Sequence, residues 1–151
     1  LGQGSNAALA LREAIRLNPR DVRLHSALGV ALDQMNQPEQ ARAAYAEALR
    51  LSPNDPNVMT NLGLSFVMAG DLPQAEATLR RAAALPGAGA TTRQNLSMVL
   101  GLQGKFDEAE RLQLADLPPQ LAAQNMAWLR AMTTERRSWD SVRTAGPPAT
   151  P

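Results

Sequence analysis

Between residues 22 and 55 apolar and small residues recur at helical spacing in two stretches. The first carries Leu28, Gly29 and Leu32; the second carries Ala41, Tyr45 and Ala48, and Pro53 closes it. An apolar period of three to four residues predicts an amphipathic helix in each stretch, so the segment reads as helix, turn, helix. Gly29 removes a side chain where the two helices cross. Ala41 and Ala48 keep the facing surface small, and Tyr45 fills the space that is left. A larger residue at Gly29 would overpack the crossing at roughly 1–3 kcal/mol. Pro53 cannot donate a helical hydrogen bond and biases Ser52 away from helical geometry.

The same pattern returns every 34 residues. One period back, Ala7, Leu11, Ala14 and Pro19 stand where Ala41, Tyr45, Ala48 and Pro53 stand. Residues 1–21 are therefore expected to hold the second helix of an upstream unit, over 5–17, with the first helix outside the chain. One period forward, residues 56–89 repeat the pattern with Leu62, Gly63, Phe66, Ala75, Leu79 and Ala82. Asp21 is a plausible cap for the helix that follows it, and Asp55–Pro56 is a strong helix start. Asp71 with Gln74 resembles a capping box. Residues 90–118 form a degenerate third unit: Leu96, Leu100 and Ala109 persist, Ser97 replaces the glycine, and GKFDEAE (Gly104 to Glu110) turns into the second helix. Gln113 and Asp116 stand where an aromatic and a small residue belong, and Pro118 and Pro119 end that helix early. A capping helix is expected over 119–137, with Leu121, Met126, Leu129 and Met132 at helical spacing and Trp128 nearby. Residues 138–151 are polar and Pro-rich and read as a flexible tail in which Trp139 is the anomaly.

Composition narrows the function. Aromatics are only 3% of the 151 residues, so the core must be built from Leu, Ala, Met and Val. A net charge of +1 gives no argument for nucleic acid. With no Cys, disulfides, thiolate zinc sites and a Cys nucleophile are excluded within the chain. His25 is the only His and falls at a packing position, so no histidine metal cluster can form. Asp107, Glu108 and Glu110 sit at a helix start, where they suit the helix dipole better than acid–base work. The Gly-rich pieces lack the strand-before-helix setting of a phosphate loop. No enzyme activity, metal or cofactor is expected, and no apolar run is long enough to span a membrane.

The order Leu28–Gly29, Leu32, Ala41, Tyr45, Ala48, Pro53 resembles the tetratricopeptide repeat, with His25 at the usual Trp place and Leu32 at the first Tyr. The resemblance implies an all-α fold: a tetratricopeptide-repeat solenoid, a right-handed superhelix of helix–turn–helix pairs with a C-terminal capping helix. It also implies a concave groove that binds a protein partner. The family's groove positions are Arg23, Ser26, Val30, Asp33 and Gln34 in the first full repeat; Asn57, Thr60, Leu64, Val67 and Met68 in the second; and Thr91, Gln94, Met98, Gly101 and Leu102 in the third. The groove is thus expected to shift from polar to apolar, and an exposed apolar strip with Met suits an adaptable interaction surface. Asn61 and Asn95 match one place of the family's carboxylate clamp, but its Lys residues are absent, so no clamp is expected. The candidate partner-binding set is Arg23, Val30, Asn61, Leu64, Val67, Met68, Asn95, Met98 and Leu102.

A narrower resemblance rests on QGKFDEAE, ADLPP and MAWLRAM within residues 93–132, together with AALPGA just before. These are similar to the TadD-type lipoproteins of tight-adherence (Flp-type) pilus machines. That likeness implies a pilotin-like assembly factor on the periplasmic face of the outer membrane, with a pilus secretin or another assembly component as partner. Such a lipoprotein needs an acylated Cys, which would have to lie upstream. The alternative is a cytoplasmic co-chaperone or regulatory adaptor. Self-association through the N-terminal half repeat or the tail, with Trp139 as anchor, is a further expectation.

Overall fold

The computed structural model describes residues 2–144, and their side chains over residues 4–136. Eight helices make up the described residues: α1 (Gly2–Leu17), α2 (Val22–Gln34), α3 (Pro38–Leu51), α4 (Pro56–Met68), α5 (Leu72–Ala83), α6 (Ala90–Leu102), α7 (Phe106–Leu114) and α8 (Pro119–Thr144). The fold is the expected all-α helical repeat. The chain divides into two compact units, residues 1–96 and 97–151, with the division inside α6.

The helix boundaries follow from local chemistry. Asp21 accepts from the Arg23 amide at 2.9 Å, Asp55 from those of Asn57 and Val58 at 2.9 and 3.2 Å, and Asp71 from that of Gln74 at 3.2 Å. Each satisfies an amide that the first turn leaves without a helical acceptor, at about 1 kcal/mol per cap. The turn inside each pair closes on a residue in the left-handed region. Asn36 has φ 57°, Gly70 78° and Gly104 82°, one period apart. In each case the next amide reaches back to the helix: Gln37 to the Leu32 carbonyl, Asp71 to Phe66 and Lys105 to Leu100, all at 2.9 Å.

In the first unit α2 packs on α3, α4 on α5, and α1 on α2. Leu32, Ala41, Ala44, Tyr45, Ala48 and Val58 form a buried cluster, flanked by Leu28 and Leu62. Gly29 and Gly63 lie at the crossings. A Cβ on Gly29 would stand 2.4 Å from the Tyr45 ring, and one on Gly63 2.6 Å from Leu79 Cγ. His25 is buried at its packing position and donates from Nε2 to the Pro19 carbonyl at 2.8 Å. On α1, Leu9 is exposed, while Leu11 and Ile15 are partly buried.

In the second unit α7 packs on α8. Ala109, Ala122, Met126 and Leu129 are buried. Gln113, in the place where the repeat has an aromatic, joins this core by hydrogen bonding. It is buried, and its amide donates to Ser97 Oγ at 3.0 Å, while Ser97 donates to the Ala109 carbonyl at 2.8 Å. The last helix differs from expectation. It runs to Thr144 instead of ending at 137, because TERRSWDSVRT contains no Pro or Gly to stop it. The remaining tail, 145–151, and the Trp139 side chain lie outside the described residues.

Candidate functional site

The face made by α2 and α4 in the first unit carries two adjoining hollows that share Asn61. One, of about 180 Å³, is lined by Val30, Asp33, Gln34, Tyr45, Asn61, Leu64, Ser65 and Met68. The other, of about 260 Å³, is lined by Val22, Arg23, Ser26, Ala27, Asp55, Asn57, Val58 and Asn61. The helical period explains the grouping. Val30, Asp33 and Gln34 fall on one face of α2, and Asn61, Leu64, Ser65 and Met68 on the facing side of α4.

Polar side chains tie the two helices together beneath this surface. Asp33, only 7% exposed, accepts from Tyr45 Oη at 3.0 Å on one oxygen and from Ser65 Oγ at 2.8 Å on the other. Burial, with the adjacent Asp33 charge and their hydrogen bond, pushes the Tyr45 phenol well above its ordinary range. Asn61, which lines both hollows, donates from Nδ2 to Ser26 Oγ at 3.1 Å. Thr60 donates to the Pro56 carbonyl at 2.7 Å, so in its 2.8 Å contact with Thr92 it is the acceptor. Arg23 is held at the rim by Asp21, whose carboxyl the guanidinium keeps below the usual carboxylate range.

Of the nine residues singled out from the sequence, Val30, Asn61, Leu64 and Met68 meet in the first hollow, and Arg23 joins Asn61 in the second. Met68 stands out at 65% exposure. Val67 is half-buried and lines neither hollow, and Asn95 is also half-buried. Met98 and Leu102 belong to the second unit and are half-buried there. Four groove positions implied by the repeat turn out to be buried structure: Ser26 under Asn61, Asp33 between Tyr45 and Ser65, Thr60 against Thr92, and Gly101 beneath Leu129, whose Cδ1 would lie 2.7 Å from an added Cβ. The candidate set had missed Asp33 and Gln34, which the groove positions already contained. It had also missed Tyr45 and Ser65, which a helical period assigns to the core.

The second unit has its own hollow of about 300 Å³, lined by Gly104, Lys105, Phe106, Asp107, Glu108, Arg111 and Arg130. There the Arg130 guanidinium lies 4.6 Å from the centre of the Phe106 ring. Among the described residues no group of His, Asp or Glu could hold a metal ion, and no helix is long and apolar enough to cross a membrane.

Helix pairs recurring once per 34 residues, crossing at a small residue and presenting a hollowed face, define a helical-repeat scaffold. Tetratricopeptide-repeat family models match residues 1–56, 27–90 and 90–117, and the chain belongs to the tetratricopeptide repeat family. Proteins of this family are generally non-catalytic scaffolds for protein–protein interaction. Among solved structures the chain is similar to PilF of Pseudomonas aeruginosa, with 22% identity and a TM-score of 0.72 over 97% of this chain and 70% of that one. It is also similar to a thermophilic TPR protein of Thermus thermophilus (23% identity, TM-score 0.68, 89% and 73% covered). MamA is a third (18%, 0.65, 93% and 92%). At these identities the likeness is one of fold. No curated protein matches the chain. These matches support the repeat family and not the narrower likeness to tight-adherence lipoproteins.

Proposed function

We propose that the chain is a non-enzymatic scaffold whose α2–α4 face receives an extended or helical segment of a protein partner. The observation that carries this reading is the hollow walled by Val30, Leu64 and Met68, with Met68 largely exposed at its mouth. A large apolar side chain in that position adds little to folding and offers a deformable contact to a partner. Asn61 and Gln34 supply amide groups beside the apolar wall, suited to the main chain of a bound segment.

Within that reading, the likeness of residues 93–132 favours a pilotin-like assembly and localisation factor of a tight-adherence Flp pilus machine. The partner is then a secretin or another assembly component at the periplasmic face of the outer membrane. The similarity to PilF adds its fold to this reading and no more. A photo-crosslinking amino acid at Met68 of the full-length protein, in its native cell, tests both levels. An adduct with an envelope component of a pilus machine supports the assembly role. An adduct with a cytoplasmic client replaces it with the adaptor reading. Met68→Asp should abolish the interaction while leaving the helical circular dichroism unchanged; undiminished capture by that folded variant removes the groove assignment.

A further inference from the structure

The hollow between α2 and α4 combines apolar walls with a negative floor. Asp33 is one of its lining residues and is 93% withdrawn from solvent, being 7% exposed. Its two partners, Tyr45 Oη and Ser65 Oγ, are hydroxyls and carry no charge. A carboxylate offers about four acceptor positions, so two hydroxyl donors leave capacity unused. Withdrawing a carboxylate from water without a counter-charge is costly, and cationic partners are the usual remedy. The described ion pairs give Asp33 none.

The backbone adds to the same imbalance. Asp33 and Gln34 end α2, and Met68 ends α4; neither helix has a basic residue in its last turn. A helix C-terminus is the negative end of the helix dipole and is stabilised by cations; here turn amides meet the last carbonyls of both helices but bring no positive charge. Two such ends and a buried carboxylate therefore converge on one hollow. Around them Val30, Leu64 and Met68 are apolar, and Asn61, whose Nδ2 donates to Ser26, lines the same hollow.

A ligand group matching this arrangement has an apolar stem and a cationic head. Among protein side chains lysine fits: four methylenes along Val30, Leu64 and Met68, and an ammonium with three donors toward Asp33, Gln34 and Asn61. We propose that this hollow is a specificity pocket for a lysine side chain of the partner segment. The proposal rests on the groove reading above and names what the groove selects.

The probes are four degenerate nonapeptide pools, identical except that the fixed central residue is Lys, Nε-acetyl-lysine, norleucine or Glu. Each is titrated into the full chain and followed through the amide NMR signals of Val30, Gln34, Asn61 and Met68. The Lys pool should bind roughly tenfold tighter than the norleucine and acetyl-lysine pools, as a charge-assisted contact requires. The preference should vanish in Asp33→Asn, whose fold is checked by circular dichroism. The wild-type comparison of Lys with acetyl-lysine decides the matter even if that variant does not fold. Norleucine or acetyl-lysine binding as tightly as Lys overturns the lysine pocket and leaves the groove intact. Tighter binding of the Glu pool overturns it likewise. Failure of every pool to move the groove signals overturns the groove reading, and the pocket with it.

Discussion

Gly29 with Tyr45 in the first full repeat and Ser97 with Gln113 in the third hold the same two places of the repeat, two periods apart. Each pair makes a helix crossing, by opposite means. In the first, the ring of Tyr45 covers a bare glycine backbone, and its hydroxyl continues to Asp33, which also holds Ser65. In the third, Ser97 donates to the Ala109 carbonyl and accepts from Gln113, so hydrogen bonds stand in for aromatic volume. The place of Asp33 is taken there by Gly101; the Thr133 hydroxyl donates to the Leu129 carbonyl at 2.7 Å and lies 3.3 Å from the Gly101 carbonyl. Gln113 Oε1 is left buried with no hydrogen-bond partner. A buried acceptor without a donor costs roughly 1–3 kcal/mol, whereas at the aromatic crossing the Tyr45 hydroxyl and both Asp33 oxygens each have a hydrogen-bond partner. The polar crossing should be the weaker one.

The chain's spectroscopy separates the two crossings. Its only Tyr, Tyr45, lies in the first unit, and both Trp residues, Trp128 and Trp139, lie in α8 of the second. The largest expected effect is Tyr45→Ala, a loss of about 3–5 kcal/mol for a buried aromatic. Gln113→Ala should cost far less, because it also removes the orphaned acceptor. Amide hydrogen exchange in α3 and α7 reads the two losses separately, and equal losses would erase the distinction between the crossings.

Gly29→Ala comes next. Its Cβ would meet the Tyr45 ring at 2.4–2.8 Å, an overpacking of roughly 1–3 kcal/mol that only partly trades against alanine's better helix propensity. Urea unfolding followed by the exchange of α2 amides measures it.

Tyr45→Phe keeps the volume and removes one of two donors to Asp33, at about 1–3 kcal/mol near neutral pH. The same contact predicts a pH dependence. The Tyr45 phenol titrates above its ordinary 10.0 in the folded state, so the folded chain holds that proton more tightly than the unfolded one. Its stabilising contribution is whole below pH 10.0 and is lost as pH rises through the folded value. Tyrosinate absorbance should therefore stay absent above pH 10.0 until the first unit unfolds, and the alkaline loss should flatten in Tyr45→Phe.

The smallest effect sharpens the comparison most. Ser97→Ala with Gln113→Leu removes both polar partners and the orphaned oxygen together. Such a paired replacement is expected to be neutral or stabilising by about 1 kcal/mol. Trp fluorescence during urea unfolding reports it; a large destabilisation would show that the polar crossing is the better one.

The sequence was a full guide where one residue type answers one local demand. Gly29 and Gly63 at the crossings, Asp21, Asp55 and Asp71 as caps, and His25 as packing were all legible, because each requirement lies within a turn or two of helix. The candidate site was legible in part. Val30, Leu64 and Met68 could be read from helical phase combined with the groove positions of the repeat. Phase alone assigned Tyr45 wholly to the core, because it locates a ring and is silent on where its hydroxyl points.

By itself, then, the sequence determined the all-α repeat, its period and the faces its helices bury: side-chain size and backbone capping act locally and recur in register. Tertiary structure decided what a one-dimensional pattern cannot carry. It joined Asp33 to Tyr45 and Ser65 from three different helices and made Gln113 a buried partner of Ser97. A buried hydrogen bond depends on the meeting of atoms from distant positions, and only packing in three dimensions sets which atoms meet.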